Sequence, residues 1–141
     1  MNGDVRIDDH SKEYLNHVAR DLETALTAVG IHIEGEAKEE LENSPRRIDT
    51  GLLRNSITWA LDGEAPAIQS YSSDDGSKSG SYSGTADKES GNNRSVTIGS
   101  NVEYGEYVHD GTVNMSPNRF LKNAVVRNKD QITQYIKDAM S

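Results

Sequence analysis

From Ser11 to about Glu42 the apolar residues Leu15, Val18, Leu22, Ala25, Leu26, Val29, Ile33, Ala37 and Leu41 recur in steps of three and four. That spacing draws one unbroken apolar stripe along a helix. An element of this length sets the scale of the fold, because every shorter element must pack along it. Asp9 or Ser11 is placed to cap its start, and Pro45 ends it. Gly30 and Gly35 each weaken the helix by roughly 1 kcal/mol against alanine, so a bend or a close helix approach is expected there.

The stretch that follows, RIDTGLLRNSITWAL, changes period. Asp49 or Thr50 can cap a short helical turn carrying Leu52, Leu53 and Arg54. Residues 56–61 then alternate polar and apolar, as a half-buried strand does. RSVTIGS (94–100) is a second strand, with Val96 and Ile98 on one face, and it pairs with 56–61 as an antiparallel hairpin. A last helix follows, with Ser116 as N-cap, Pro117 in its first turn and apolar residues from Phe120 to Ala139 at helical spacing. The expected class is α+β, a long N-terminal and a C-terminal helix packed on a small antiparallel sheet in one domain, 1–141.

Between the strands, residues 62–93 hold eight serines, five glycines and few apolar side chains. Six acids against two lysines give the tract −4, half of the chain's net charge of −8. So little apolar area offsets the entropy of ordering poorly. The tract reads as a flexible loop, or as an arm that orders against a neighbouring subunit with Ile68, Tyr71 and Tyr82 as its anchors.

Charge and composition narrow the chemistry. Fifteen Lys and Arg against 23 Asp and Glu argue against a nucleic-acid surface as the main function. The basic spot at Arg46–Arg47 is too small to change that. With no cysteine, disulfides, thiolate catalysis and Cys-type zinc sites are excluded. No apolar run approaches the ~20 residues of a membrane span, and the amino terminus has neither the basic nor the apolar region of a secretory signal. A soluble protein made in a cytoplasm is expected, with no membrane partner.

The stretch NVEYGEYVHDGT (101–112) gathers Tyr104, Tyr107, His109 and Asp110, which resembles a proton-transfer or metal site. His10, His17 and His32 show no ligand spacing with His109, and the serines lie mostly in the polar tract, where nothing holds a nucleophile. Neither Asp74-Asp75 nor Glu39-Glu40 resembles a buried acid–base pair. The chain is read as a non-enzyme without metal or cofactor. His17 and Asp21, four apart, read as an ordinary solvated pair.

Three stretches taken in order carry a resemblance: IDTGLLRNSI, VTIGSNVEYGEYVHDGT and MSPNRFLKNAV. The residues concerned are Asp49, Thr50, Gly51, Leu53, Ser56 and Ile57, then Gly99, Tyr104, Tyr107, Val108, Gly111 and Thr112, then Met115, Phe120 and Leu121. Together they resemble the tail-completion or head–tail joining (neck) proteins of tailed bacteriophages. His109 stands where that pattern has an acid, which is displaced to Asp110, and the polar tract is longer than the pattern suggests.

The resemblance implies that 104–112 is a packing segment and hinge. Tyr104 and Tyr107 would face the core, Gly111 would permit a positive-φ turn, and His109 and Asp110 would be exposed between them. It further implies a structural virion protein of the neck or tail, assembled in the host cytoplasm. Such a subunit would close into a ring of six copies, or twelve. Its partners would be copies of itself, a tail-tube or tail-terminator protein on one side, head-closure or adaptor proteins on the other, and DNA sliding unbound through the lumen. Arg54, Tyr71, Tyr82, His109 and Asp110 are the candidate interface residues. The alternative is a small cytoplasmic interaction module whose acidic loop binds a basic partner.

Overall fold

The computed structural model describes residues 4–86 and 94–140, with the side chains of the first helix described from Asn16 onward. Helix α1 (Asp4–Glu40) is followed by α2 (Leu52–Ser56), β1 (Thr58–Leu61), β2 (Ser70–Ser72) and β3 (Ser79–Ser81). Then come β4 (Val96–Gly99), α3 (Gly105–Asp110), α4 (Phe120–Arg127) and α5 (Lys129–Met140). The class is the expected α+β. Helix α1 is the shared support: β1, β4, α4 and α5 all pack on it. It begins before Asp9 and Ser11, which therefore lie inside it and not at its N-cap position. The apolar stripe marks where a helix packs and need not mark where it starts.

The stripe does its expected work from Ala25 to Leu41. Val29, Ile33, Ala37 and Leu41 are buried and meet Leu53, Ile57, Val108, Phe120 and Ala124 in one cluster. Among the described residues only four large apolar side chains, Phe120, Ile33, Leu41 and Ile57, are fully buried. At about 1.5–3 kcal/mol each that is a small core, so individual polar contacts weigh more than usual.

The expected hairpin forms, with β1 and β4 antiparallel and Trp59 opposite Ile98. Its first strand starts at Thr58, because Ser56 still belongs to α2 and donates its hydroxyl to the Leu53 carbonyl at 2.6 Å. Gly30 is a close-approach site, but to the sheet: a Cβ there would lie 2.8 Å from the Trp59 ring. Around Gly35 nothing would be met within 4 Å.

Residues 62–86 carry structure of their own. Strands β2 and β3 pair antiparallel, Tyr71 opposite Gly80, and the segment is tied back to the chain it left. Ala67 donates to the Trp59 carbonyl at 2.9 Å, and the Ile68 N–H to Thr58 Oγ1 at 2.9 Å. This pass runs along the edge of β1 away from β4. Of the tract, residues 87–93 lie outside the described residues.

The single last helix is two. The chain breaks at Asn128, whose Nδ2 donates to the Ala124 carbonyl at 2.7 Å while its Oδ1 meets His32 Nε2 at 3.1 Å. A side chain that binds its own preceding turn competes with helix continuation. Nor do Ser116 and Pro117 open the helix, which starts at Phe120 with Arg119 at the N-cap position. Asn118 holds the entry instead. It is buried, and its Nδ2 donates to the carbonyls of Glu40 and Pro45, each at 2.9 Å. Its backbone N–H also donates to the Val108 carbonyl at 2.9 Å.

Candidate functional site

The motif residues converge where α2, the β2–β3 hairpin and α3 meet. Gly51 takes φ +82 at the N-cap of α2, a left-handed conformation that L side chains rarely adopt. A Cβ there would also meet the Asp74 carboxyl at 2.5 Å. Asp49 is exposed and caps nothing, whereas Thr50 Oγ1 accepts from the Leu52 N–H at 3.3 Å. The Thr50 carbonyl accepts from the Asp74 N–H at 2.7 Å, so the Asp-Thr-Gly turn is the seat on which the hairpin rests. Leu53 and Ile57 enter the core from it.

Arg54 joins three elements. Its guanidinium donates to Glu42 Oε1 at 3.4 Å and to both Asp74 carboxylate oxygens at 3.2 and 3.3 Å. Asn55 adds donors to the Ser72 carbonyl and to Asp74. Proposed from sequence as an interface residue, Arg54 is engaged within the chain.

Tyr71 and Tyr82 are likewise engaged with their own chain. Their rings pack at 5.5 Å. Tyr71 bonds to Asn101 through its hydroxyl. The Tyr82 hydroxyl donates to the Ser56 carbonyl at 2.6 Å and accepts from the Asn101 N–H at 3.2 Å. Burial, ahead of other causes, raises the pKa of both phenols.

Helix α3 turns opposite to the expectation. Tyr104 and Tyr107 are 43% and 58% exposed, while Gly105 and Val108 face inward. The inward i, i+3 pair is shifted by one residue, and Gly105 lies close to Leu53, whose Cδ1 would be 3.1 Å from a Cβ there. Gly111 takes the positive φ expected, +80, and the chain folds back through paired Thr112 and Met115.

His109 is not exposed as expected. Its ring packs edge-on against Phe120 at 5.4 Å, and Nε2 accepts from the Lys122 N–H at 3.3 Å. With Nε2 accepting, the ring proton sits on Nδ1 and is donated to Asp110, 2.9 Å away. His109 thus satisfies an otherwise unbonded amide in the first turn of α4. Asp110, exposed, orients the ring. The pair that looks chemical is a helix-capping device. Gly99 pairs with Thr58 in the sheet, and Leu121 packs against the core. His17 and Asp21 do form the surface pair, at 3.3 Å.

Beside this junction a cleft of about 400 Å³ opens. Leu53, Val108 and Ile48 give it an apolar floor, Tyr104 one wall, and Arg46, Arg47, Arg54 and Lys78 a basic rim with Asp49 among them. The sequence offered only the Arg46–Arg47 pair as a hint; Lys78 arrives through the hairpin. Among the described residues no group of three or more His, Cys, Asp or Glu is placed to hold a metal, and no helix is long and apolar enough to cross a membrane.

A protein-family model described as "Bacteriophage HK97-gp10, putative tail-component" matches residues 6–111. The match takes in the Asp-Thr-Gly turn, both strands of the β1–β4 hairpin and α3, and ends at Gly111; Thr112, Phe120 and Leu121 lie beyond it. Among curated proteins and among solved structures, none matches the chain.

Proposed function

The chain belongs to the HK97-gp10-like family of bacteriophage tail components, and from that premise we propose that it is the neck subunit that completes the tail. In this reading copies associate head-to-tail into a closed ring, six in number to match a six-fold tail tube, with twelve as the alternative. One face docks on the tail-tube or tail-terminator protein and the other on head-closure or adaptor proteins. The work is assembly rather than catalysis, done in the host cytoplasm, and the finished site is the virion neck. The net charge of −8 favours a lumen that lets DNA slide without gripping it.

The observation that carries the reading is the family match over 6–111, which takes in the first two of the three motif stretches up to Gly111. Electron microscopy of virions carrying this chain tests it, by giving position and copy number together. Deleting the gene should yield filled heads and tails that do not join. Normal infectious particles from the deletion would overturn the proposal.

A further inference from the structure

The basic cleft is out of character with the chain around it. Its lining nets +3 in a chain that nets −8. Arg54 is neutralised by Glu42 and Asp74, but among the described residues no acid lies within ion-pair distance of Arg46, Arg47 or Lys78. Arg46 donates to the Ile48 carbonyl and Arg47 to the Ser116 carbonyl, which fixes where both guanidinium groups stand. Three cations that line one cleft without a paired acid favour an anionic partner there.

We propose that this cleft docks an acidic peptide segment of a partner protein. Its carboxylates meet Arg46, Arg47 and Lys78, and one apolar side chain lies on Leu53 and Val108 against Tyr104. Arginine and tyrosine around an apolar floor are the residue types that dominate protein interfaces. A polyphosphate chain fits less well. Asp49 stands in the lining and Glu42 and Asp74 beside it, so a continuous polyanion meets repulsion that spaced carboxylates can avoid. The chain's overall charge adds to that repulsion. The inference deepens the reading above by naming the chemistry of one neighbour, and rests on it only for the place where the two meet.

The test uses the full chain in solution. A fluorescein-labelled peptide of about a dozen residues, alternating Glu and Asp around a central Phe-Leu, is titrated by anisotropy at low salt. The result expected is saturable binding that weakens with added salt. It should fall at least about tenfold in Arg46→Glu/Lys78→Glu and return in Arg46→Lys/Lys78→Arg. Neither side chain supports the core, and an unchanged thermal melt checks each variant. Absence of saturable binding, or equal binding by the charge-reversed variant, overturns the proposal. So does equal competition by inorganic phosphate or single-stranded DNA, which would make the cleft a general anion site. Self-association abolished by the same reversal would make the occupant a second copy and overturn it too. Each of these failures would leave a virion location standing, because that is read by microscopy of particles.

Discussion

The side-chain amide of Asn118 donates to the carbonyl of Glu40 at 2.9 Å, across seventy-eight residues of sequence. A second proton of the same amide goes to the Pro45 carbonyl at 2.9 Å. One buried group therefore holds the end of α1 and the loop after it at the entrance to α4.

Replacing Asn118 by alanine leaves the Pro45 carbonyl without this donor and the Glu40 carbonyl with the Asn43 N–H alone, and should cost about 1–3 kcal/mol. Asn118→Asp should be no better at neutral pH, since a carboxylate beside two carbonyls has no proton to give. Urea unfolding measures both. A loss under about 1 kcal/mol would mean that these bonds are replaced by water.

Gly30 and Gly35 should respond oppositely to alanine. Helix propensity favours each substitution by roughly 1 kcal/mol. At Gly35 a Cβ meets nothing within 4 Å, so stability should rise. At Gly30 it meets the body of the Trp59 ring at 2.8 Å, and overpacking at about 1–3 kcal/mol outweighs propensity. Trp59→Leu in the Gly30→Ala background should recover part of the loss; thermal melts of the set decide it.

Tyr82→Phe removes the bond to Ser56 and the acceptor for Asn101, and should cost about 1–2 kcal/mol. Because those bonds dock the β2–β3 hairpin, amide exchange should quicken across 70–81 more than in α1. Uniform change along the chain would show that the hairpin is not held through Tyr82.

Asp75, at the hairpin turn, should titrate with a midpoint of about 2. Its carboxylate accepts from the Ser77 N–H at 2.9 Å and from the Ser77 and Ser73 hydroxyls at 2.8 Å each, the backbone bond being the largest cause. A depressed folded pKa means that the contribution to stability is present above the unfolded value of 3.8 and fades as pH falls towards 2. Carbon-detected NMR reads the midpoint directly, and Ser77→Ala should move it upward.

What the sequence made legible was periodicity and steric exception. The stripe from Ala25 to Leu41, the β1–β4 pairing and the positive φ of Gly111 follow from local rules that tertiary context did not override. The seat of Tyr104 and Tyr107 did not follow, because spacing fixes which residues share a helix face but not which face turns inward; here Gly105 and Val108 take the inward positions. Asn118 and Asn128 were equally hidden. An asparagine reads as loop chemistry until the carbonyls it reaches are placed, and those lie in distant segments. The polar tract misled by composition: serines and glycines contribute little buried area, yet backbone bonds to Thr50 and Trp59 and one to the Thr58 hydroxyl anchor residues 67–74. The basic cleft drew on three separated stretches and was invisible for the same reason.

The pass of Ala67 and Ile68 along β1 has a consequence for how copies of such a chain can meet. An uncovered strand edge accepts another strand by backbone pairing alone, with no fixed count and no natural stopping point. By laying its own Ala67 and Ile68 there, the chain covers part of that border against such open-ended growth. Along that border a second chain would have to be met by side chains rather than by backbone pairing.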